Sequence, residues 1–137
     1  MSLDFLLDAN VVSEPFRRTP RVNVVRKLYR HRNEVAIASV VWHELRFGLE
    51  RMPPSLRRDA LANYLDSVIE SMPILDYDYR AADWHARERA RLSKRGLTPP
   101  YADGQIAAIA SVNDLTLVTF NEADFQRFNG LRVVTWR

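Results

Sequence analysis

The sequence contains no cysteine and only four glycines, at positions 48, 96, 104 and 130. Without cysteine there is no disulfide framework, no thiolate metal site and no thiol nucleophile. The glycines stand alone, so no glycine-rich loop is present to cradle a nucleotide's phosphates. Lysine is nearly missing too: of 20 cations, only Lys27 and Lys94 are not arginine. No apolar run approaches the length that crosses a bilayer. The stretch Phe5–Leu7, flanked by Asp4 and Asp8, is also too short for the core of a signal peptide. His31, His43 and His85 lack the spacing of zinc ligands and read as surface or helix-face residues. No serine sits in a nucleophile-elbow pattern. These absences point to a cytoplasmic protein without a membrane partner.

What is present is an ordinary globular composition. The 137 residues are 47% hydrophobic and 27% charged, enough for a single domain spanning residues 1–137 with its own core. The formal charge is +3 and the pI is near 9.6, a surplus that tolerates nucleic acid without demanding it. Its distribution is more informative. Arg17, Arg18, Arg21, Arg26, Lys27, Arg30 and Arg32 form an acid-free run, and Arg87, Arg89, Arg91, Lys94 and Arg95 are relieved only by Glu88. Arginine's forked donors match phosphate oxygens, although a solvated helix face explains either cluster equally well.

Strand-like runs alternate with helix-length stretches. Residues 3–7, 35–39, 115–120 and 131–136 are β-rich, and residues 72–75 form a weaker candidate. The nearly continuous apolarity of FLL and VAIA suits strands covered on both faces. Helical stretches lie at residues 20–29, 40–51, 55–69, 82–97 and 100–112. In the fourth, Ala82, Ala86, Ala90, Ser93 and Leu97 share one face, opposite Arg87, Arg91 and Arg95. Pro53–Pro54 and Pro99–Pro100 punctuate the helices. The alternation predicts an α/β domain with a central parallel sheet of four to five strands and helices on both faces. In such sheets ligands gather outside the carboxyl ends of the strands.

Those ends carry acids. Asp8 directly follows the first strand, where an N-cap role would also explain it. Glu44 lies at helical spacing beside Val40, Val41, Phe47 and Gly48, which places it on or next to the apolar stripe, where an unpaired carboxylate is costly. Asp103 occupies the first turn of a helix, a favourable place for an acid in any case. Asn121 follows the fourth strand, with Asp124 three residues on, and Thr119 offers a hydroxyl to a neighbouring carboxylate or water. If the three acids meet, they repel unless a divalent cation neutralises them. Oxygen-only ligands favour Mg2+ or Mn2+.

Four blocks, FLLDANVVSE (residues 5–14), ASVVWHELRFGLER (38–51), YADGQIAAIA (101–110) and LVTFNEADF (117–125), occur in the order of a PIN-domain protein. Across essentially the whole chain the sequence resembles the toxin ribonucleases of VapBC-type toxin–antitoxin modules. That resemblance implies a PIN-like nuclease domain and an Mg2+- or Mn2+-dependent endoribonuclease. As partners it implies an RNA substrate, a small cognate antitoxin, a twofold homodimer, and operator DNA met only through the antitoxin complex. The family's three main acids fall on Asp8, Glu44 and Asp103, and its variable fourth metal position falls on Asn121. Three departures stand out: Ala9 where Thr is common, Phe120 where Arg is frequent, and neutral Asn121 where Asp is frequent.

On this basis Asp8 and Asp103 are expected to hold the metal, with Glu44 as a further ligand or as proton acceptor for the attacking water. Arg46, Arg17, Arg18, Arg87 and Arg91 are the candidate RNA contacts. The alternative is a catalytically weak PIN-fold module acting mainly through antitoxin and operator DNA. A receiver-type or haloacid-dehalogenase-like phosphoryl domain is disfavoured, because no Asp-x-Asp follows the first strand and no lysine follows the later ones.

Overall fold

The two most continuous apolar runs become neighbouring strands at the centre of the sheet. In the computed structural model, which describes residues 2–137, β1 is Phe5–Leu7 and β2 is Val35–Ala38, and every residue of β2 is buried. Three further strands complete the sheet: β3 (Ile74–Leu75), β4 (Thr116–Val118) and β5 (Val133–Val134). The order is β3-β2-β1-β4-β5, and every pairing is parallel. Leu7 lies beside Ile37 on one side and Val118 on the other. The five parallel strands agree with the expected α/β class, each one shorter than its apolar run.

The helices are α1 (Ala9–Val12), α2 (Val22–Arg30), α3 (Ser39–Glu50), α4 (Leu56–Ser71), α5 (Tyr79–Lys94), α6 (Tyr101–Val112) and α7 (Glu122–Phe125), with a 3-10 turn at Glu14–Phe16. From β1 the chain steps outward to β2 and β3, then returns across the sheet to β4 and β5. Right-handed crossovers place the helices before β3 on one face and those after it on the other. The direction of winding reverses between β1 and β4, which makes the carboxyl ends of these two strands the switch point of the sheet.

Local chemistry sets the helix ends. Ser55 and Asp78 cap α4 and α5 by accepting the N–H groups of Arg58 and Ala81, both at 3.0 Å. The backbone and Arg80 contacts of Asp78 hold its carboxyl below the usual range. Helix α5 closes with Leu97 N–H on the Leu92 carbonyl at 2.9 Å and Gly96 at φ +74°, the left-handed residue this closure needs. Helix α6 is buried at Gly104 and throughout Ile106–Ala110, so its middle runs through the core while its first turn and its end come nearer the surface.

The buried face of α5 differs from the expected alanine stripe. Ala86 and Ala90 are exposed, and the inward residues are Ala81, His85, Glu88 and Leu92. Two polar residues lie on that face because each finds partners there. His85 Nδ1 is 2.9 Å from the Tyr77 hydroxyl. Glu88 receives two bonds from Arg91, at 2.8 and 2.9 Å, and the Asn129 N–H at 2.7 Å. His85 is therefore a helix-face residue, one of the two readings expected from the sequence, and the face is the buried one.

Candidate active site

Asp8 leaves β1 at the switch point, and its backbone N–H still pairs with the Val118 carbonyl of β4 at 2.9 Å. Both carboxylate oxygens are engaged. One accepts the Ala9 N–H at 2.9 Å, which caps α1, and the other accepts the Thr119 hydroxyl at 2.8 Å. Thr119 is fully buried, and its oxygen also accepts the Asn121 N–H at 3.0 Å. The hydroxyl contact anticipated from the sequence is present, and it ties the ends of β1 and β4 into one unit.

Asp103 sits in the first turn of α6, where the helix emerges from the core. Burial raises its carboxyl, and the charges of Asp124 and Asp8 push it further, to about 6. Glu44, in the middle of α3, is raised as well, first by desolvation and then by the charges of Asp8 and Asp103, with His43 opposing. The structure therefore brings Asp8, Glu44 and Asp103 within range of one another's fields. Asp124 joins them through Asp103. Asn121 caps nothing with its side chain and is exposed, and the further acid whose charge reaches Asp103 is Asp124.

Glu44 lies beside the apolar stripe of α3, one of the two placements expected from the sequence. It is an exposed residue at the rim of a cleft of about 450 Å³, lined in part by Asn10, Phe16, Gly48, Met52 and Leu61, and it is not pressed into the core. The α3 stripe that enters the core runs through Val41 and Leu49, a small rotation away.

Among the described residues, none of Asp8, Glu44, Asp103 and Asp124 forms an ion pair with a cation. Nor do any three acids or histidines stand close enough to form a finished ligand cage. The carboxylates sense one another without having converged. Unpaired oxygen donors, with the Glu44 and Asp103 carboxyls raised, suit a hard divalent ion.

The candidate RNA-contacting arginines diverge. Arg46 is paired with Glu50 at 3.0 Å. Arg91 spends its fork on Glu88 and the Arg127 carbonyl, which makes it a structural tie. Arg17, Arg18 and Arg87 are exposed, and Arg17 reaches Glu14 at 3.3 Å. Glu14 is a residue that reasoning from the sequence missed. Its carboxylate is wholly buried, takes the Arg21 N–H at 3.2 Å and lies within 3.8 Å of that residue's guanidinium. The acid-free arginine run immediately after it was the available signal.

Comparison with known proteins agrees with this geometry. The pattern of the PIN domain matches residues 5–131. The chain belongs to the PIN-domain family. It is similar to the tRNA(fMet)-specific endonuclease VapC of Shigella flexneri, with 30% identity over 134 residues and 98% of each chain covered. The PIN fold here also matches the structure of FitAB bound to an IR36 DNA fragment, at TM-score 0.89 and 28% identity, covering 97% of this chain and 96% of that one. DNA-bound VapBC from Salmonella typhimurium matches at TM-score 0.82 and 28% identity, with 98% and 99% covered. The resemblance read from the four sequence blocks is thereby borne out.

Proposed function

We propose that this PIN-domain chain is the toxin of a toxin–antitoxin pair and an endoribonuclease that uses Mg2+ or Mn2+ to hydrolyse RNA phosphodiesters. The observation carrying this reading is the set of carboxylates around the β1–β4 switch point, none of which has a cationic partner among the described residues, and of which Glu44 and Asp103 are raised by desolvation and by the neighbouring acids' charges. Its support from relatives is the endonuclease VapC described above.

Asp8 and Asp103 are the residues to hold the ion, with Asp124 beside Asp103. When bound, such an ion neutralises the carboxylates, draws charge from the phosphodiester and acidifies water. Asp8 enters this role already oriented, because Ala9 N–H and the Thr119 hydroxyl fix both its oxygens. Glu44 is exposed and unpaired, with a carboxyl held above the ordinary glutamate value. It either completes the donor set or takes the proton of the attacking water, and a raised carboxyl is the better acceptor near neutrality. Water adds to phosphorus in line, the P–O3′ bond breaks, and 5′-phosphate and 3′-hydroxyl ends result.

The cleft between α3 and α4 beside Glu44 is a suitable seat for the antitoxin. The VapBC and FitAB structures contain toxin–antitoxin complexes on DNA, and here operator DNA is reached through the antitoxin. A twofold homodimer and a cytoplasmic location complete the reading; no described helix is long and apolar enough to cross a membrane. The competing idea of a metal-poor binding module leans on neutral Asn121; the charge of Asp124 acting on Asp103 favours the metal-dependent reading over it.

Cleavage of a structured RNA tests the proposal, with Mg2+, with EDTA, and with Asp8→Asn. Loss of cleavage in both the EDTA and the Asp8→Asn arms is expected. Metal-independent cleavage, or an unimpaired Asp8→Asn chain, overturns it. Calorimetry with Mn2+ separates the alternatives, since an inert scaffold shows no saturable uptake.

A further inference from the structure

Beside the carboxylates lies a second cleft of about 280 Å³ whose chemistry is opposite in sign. Arg17, Arg21 and Arg137 line it together with Phe120, and Asn10 and Asn121 form its border with the catalytic group. The only acid in its wall is Glu14, which is wholly buried. Three guanidinium charges against one carboxylate leave a surplus of two.

Like charges do not gather without cause, and two features hold them here. The guanidiniums of Arg21 and Arg137 both stand over the Phe120 ring, at 5.0 and 5.3 Å from its centre. An aromatic face attracts cations and lets two approach one another. From below, Glu14 holds Arg17 and Arg21, while Arg137 donates to the Phe120 carbonyl at 2.8 Å. These contacts use few of the five donors each guanidinium carries, and the Arg17 and Arg21 side chains remain 55% and 43% exposed. Among the described residues, the donors left over have no protein acceptor, and all three arginines line the cleft.

We propose that Arg17, Arg21 and Arg137, gathered around Phe120, form a subsite for a backbone phosphate of RNA next to the one that is cut. This rests on the nuclease reading for the identity of the anion. The cleft adjoins Asn10, two residues after Asp8, and Asn10, Ser13 and Arg17 are shared with the more apolar cleft at Glu44. A strand crossing the carboxylates therefore meets an arginine-lined pocket on one side and an apolar one on the other. The subsite is a positioning device: it touches a phosphate that does not react.

Binding of a short fluorescent single-stranded RNA across a range of salt concentrations tests the proposal, in the catalytically silenced Asp8→Asn background, with thermal melts to verify folding. Each phosphate contact to a single strand contributes about 0.7 to the slope of log affinity against log salt. Arg21→Gln and Arg137→Gln are each expected to weaken binding roughly tenfold and to lower the slope by about 0.7, the pair by about 1.4. Arg32→Gln removes an equal charge from a residue that stacks on Tyr29, remote from the cleft, and leaves slope and affinity unchanged. Should Arg137→Gln and Arg21→Gln behave like Arg32→Gln in folded protein, the subsite is refuted. Cleavage by the otherwise wild-type chain is followed in parallel. Cleavage that persists without those binding effects leaves the nuclease standing and removes the subsite. The binding effects without any cleavage do the reverse.

Discussion

The Thr119 hydroxyl donates to Asp8 at 2.8 Å while accepting the Asn121 N–H at 3.0 Å. One buried oxygen thus orients the first acid of the site and anchors the loop that leads to Asp124. Partners of this kind fix the direction of a ligating oxygen, and their loss typically costs about 10–100-fold in metal affinity or activity. Thr119→Val, which keeps the shape and removes the hydroxyl, is expected to weaken Mn2+ binding by about that factor, while Thr119→Ser keeps most of it. Calorimetric titration of the two variants decides the matter. Equal affinities for wild type and Thr119→Val show that Asp8 does not need the bond.

The burial of Asp103, reinforced by the charges of Asp124 and Asp8, has a measurable consequence for stability. Asp103 in the folded chain loses its proton at about 6, whereas an unfolded aspartate does so near 3.9. The folded state therefore binds this proton more tightly. Stability from this group is greatest at low pH, declines as pH rises between about 4 and about 6, and is flat above that range. Asp103→Asn removes the decline. In EDTA at pH 7 the variant is expected to be more stable than wild type by about 1–2 kcal/mol, after allowance for solvent screening at the mouth of the site. Thermal melts from pH 4.5 to 7.5 check the sign. A variant that is less stable than wild type at pH 7 contradicts it.

Much of this site was legible because strand ends and acids coincide in the sequence. Asp8 follows FLL without an intervening residue, and continuous apolarity marked β1 and β2 as central. The sequence did not reveal which face of α5 turns inward. Its alanines formed the more obvious stripe, but His85 and Glu88 are buried because Tyr77, Arg91 and Asn129, distant or on the same helix, satisfy them. Periodicity ranks residues by polarity and is blind to partners supplied by the fold. For the same reason the pairing of Arg91 with Glu88 was not visible in the sequence. Helices α1 and α7 escaped notice because four residues are too few to show a helical period.

Glu14 shows the same effect at the arginine cleft. Its carboxylate is wholly buried, yet it keeps the Arg21 N–H and the Arg17 and Arg21 guanidiniums as partners. Removing the Glu14 carboxylate leaves the Arg21 N–H without its acceptor and two guanidiniums without their counter-charge. Glu14→Ala is expected to destabilise the fold by about 2–4 kcal/mol, toward the low side of buried ion pairs because both arginines reach water. Glu14→Gln, which retains an acceptor for the Arg21 N–H, loses less. Urea unfolding measures both, and a neutral Glu14→Ala refutes the role assigned to this acid.

The start of α6 depends on a close approach between Gly104 and His85. A Cβ on residue 104 would stand 2.2 Å from His85 Nε2 and 2.7 Å from its Cδ2, closer than atoms can pack. The imidazole cannot yield easily, since its other nitrogen is paired with the Tyr77 hydroxyl and its ring lies edge-on to Tyr101 at 4.8 Å. Gly104→Ala must therefore shift either the ring or the first turn that carries Asp103. We expect a loss of about 1–3 kcal/mol, the usual range for overpacking, together with weaker Mn2+ binding because Asp103 moves. His85→Ala opens a cavity and is destabilising by itself. Combining the two relieves the clash, so the double variant is expected to be more stable than the sum of the single losses predicts. Denaturant melts of all four chains give the coupling directly. Strict additivity means that His85 does not determine why residue 104 is glycine.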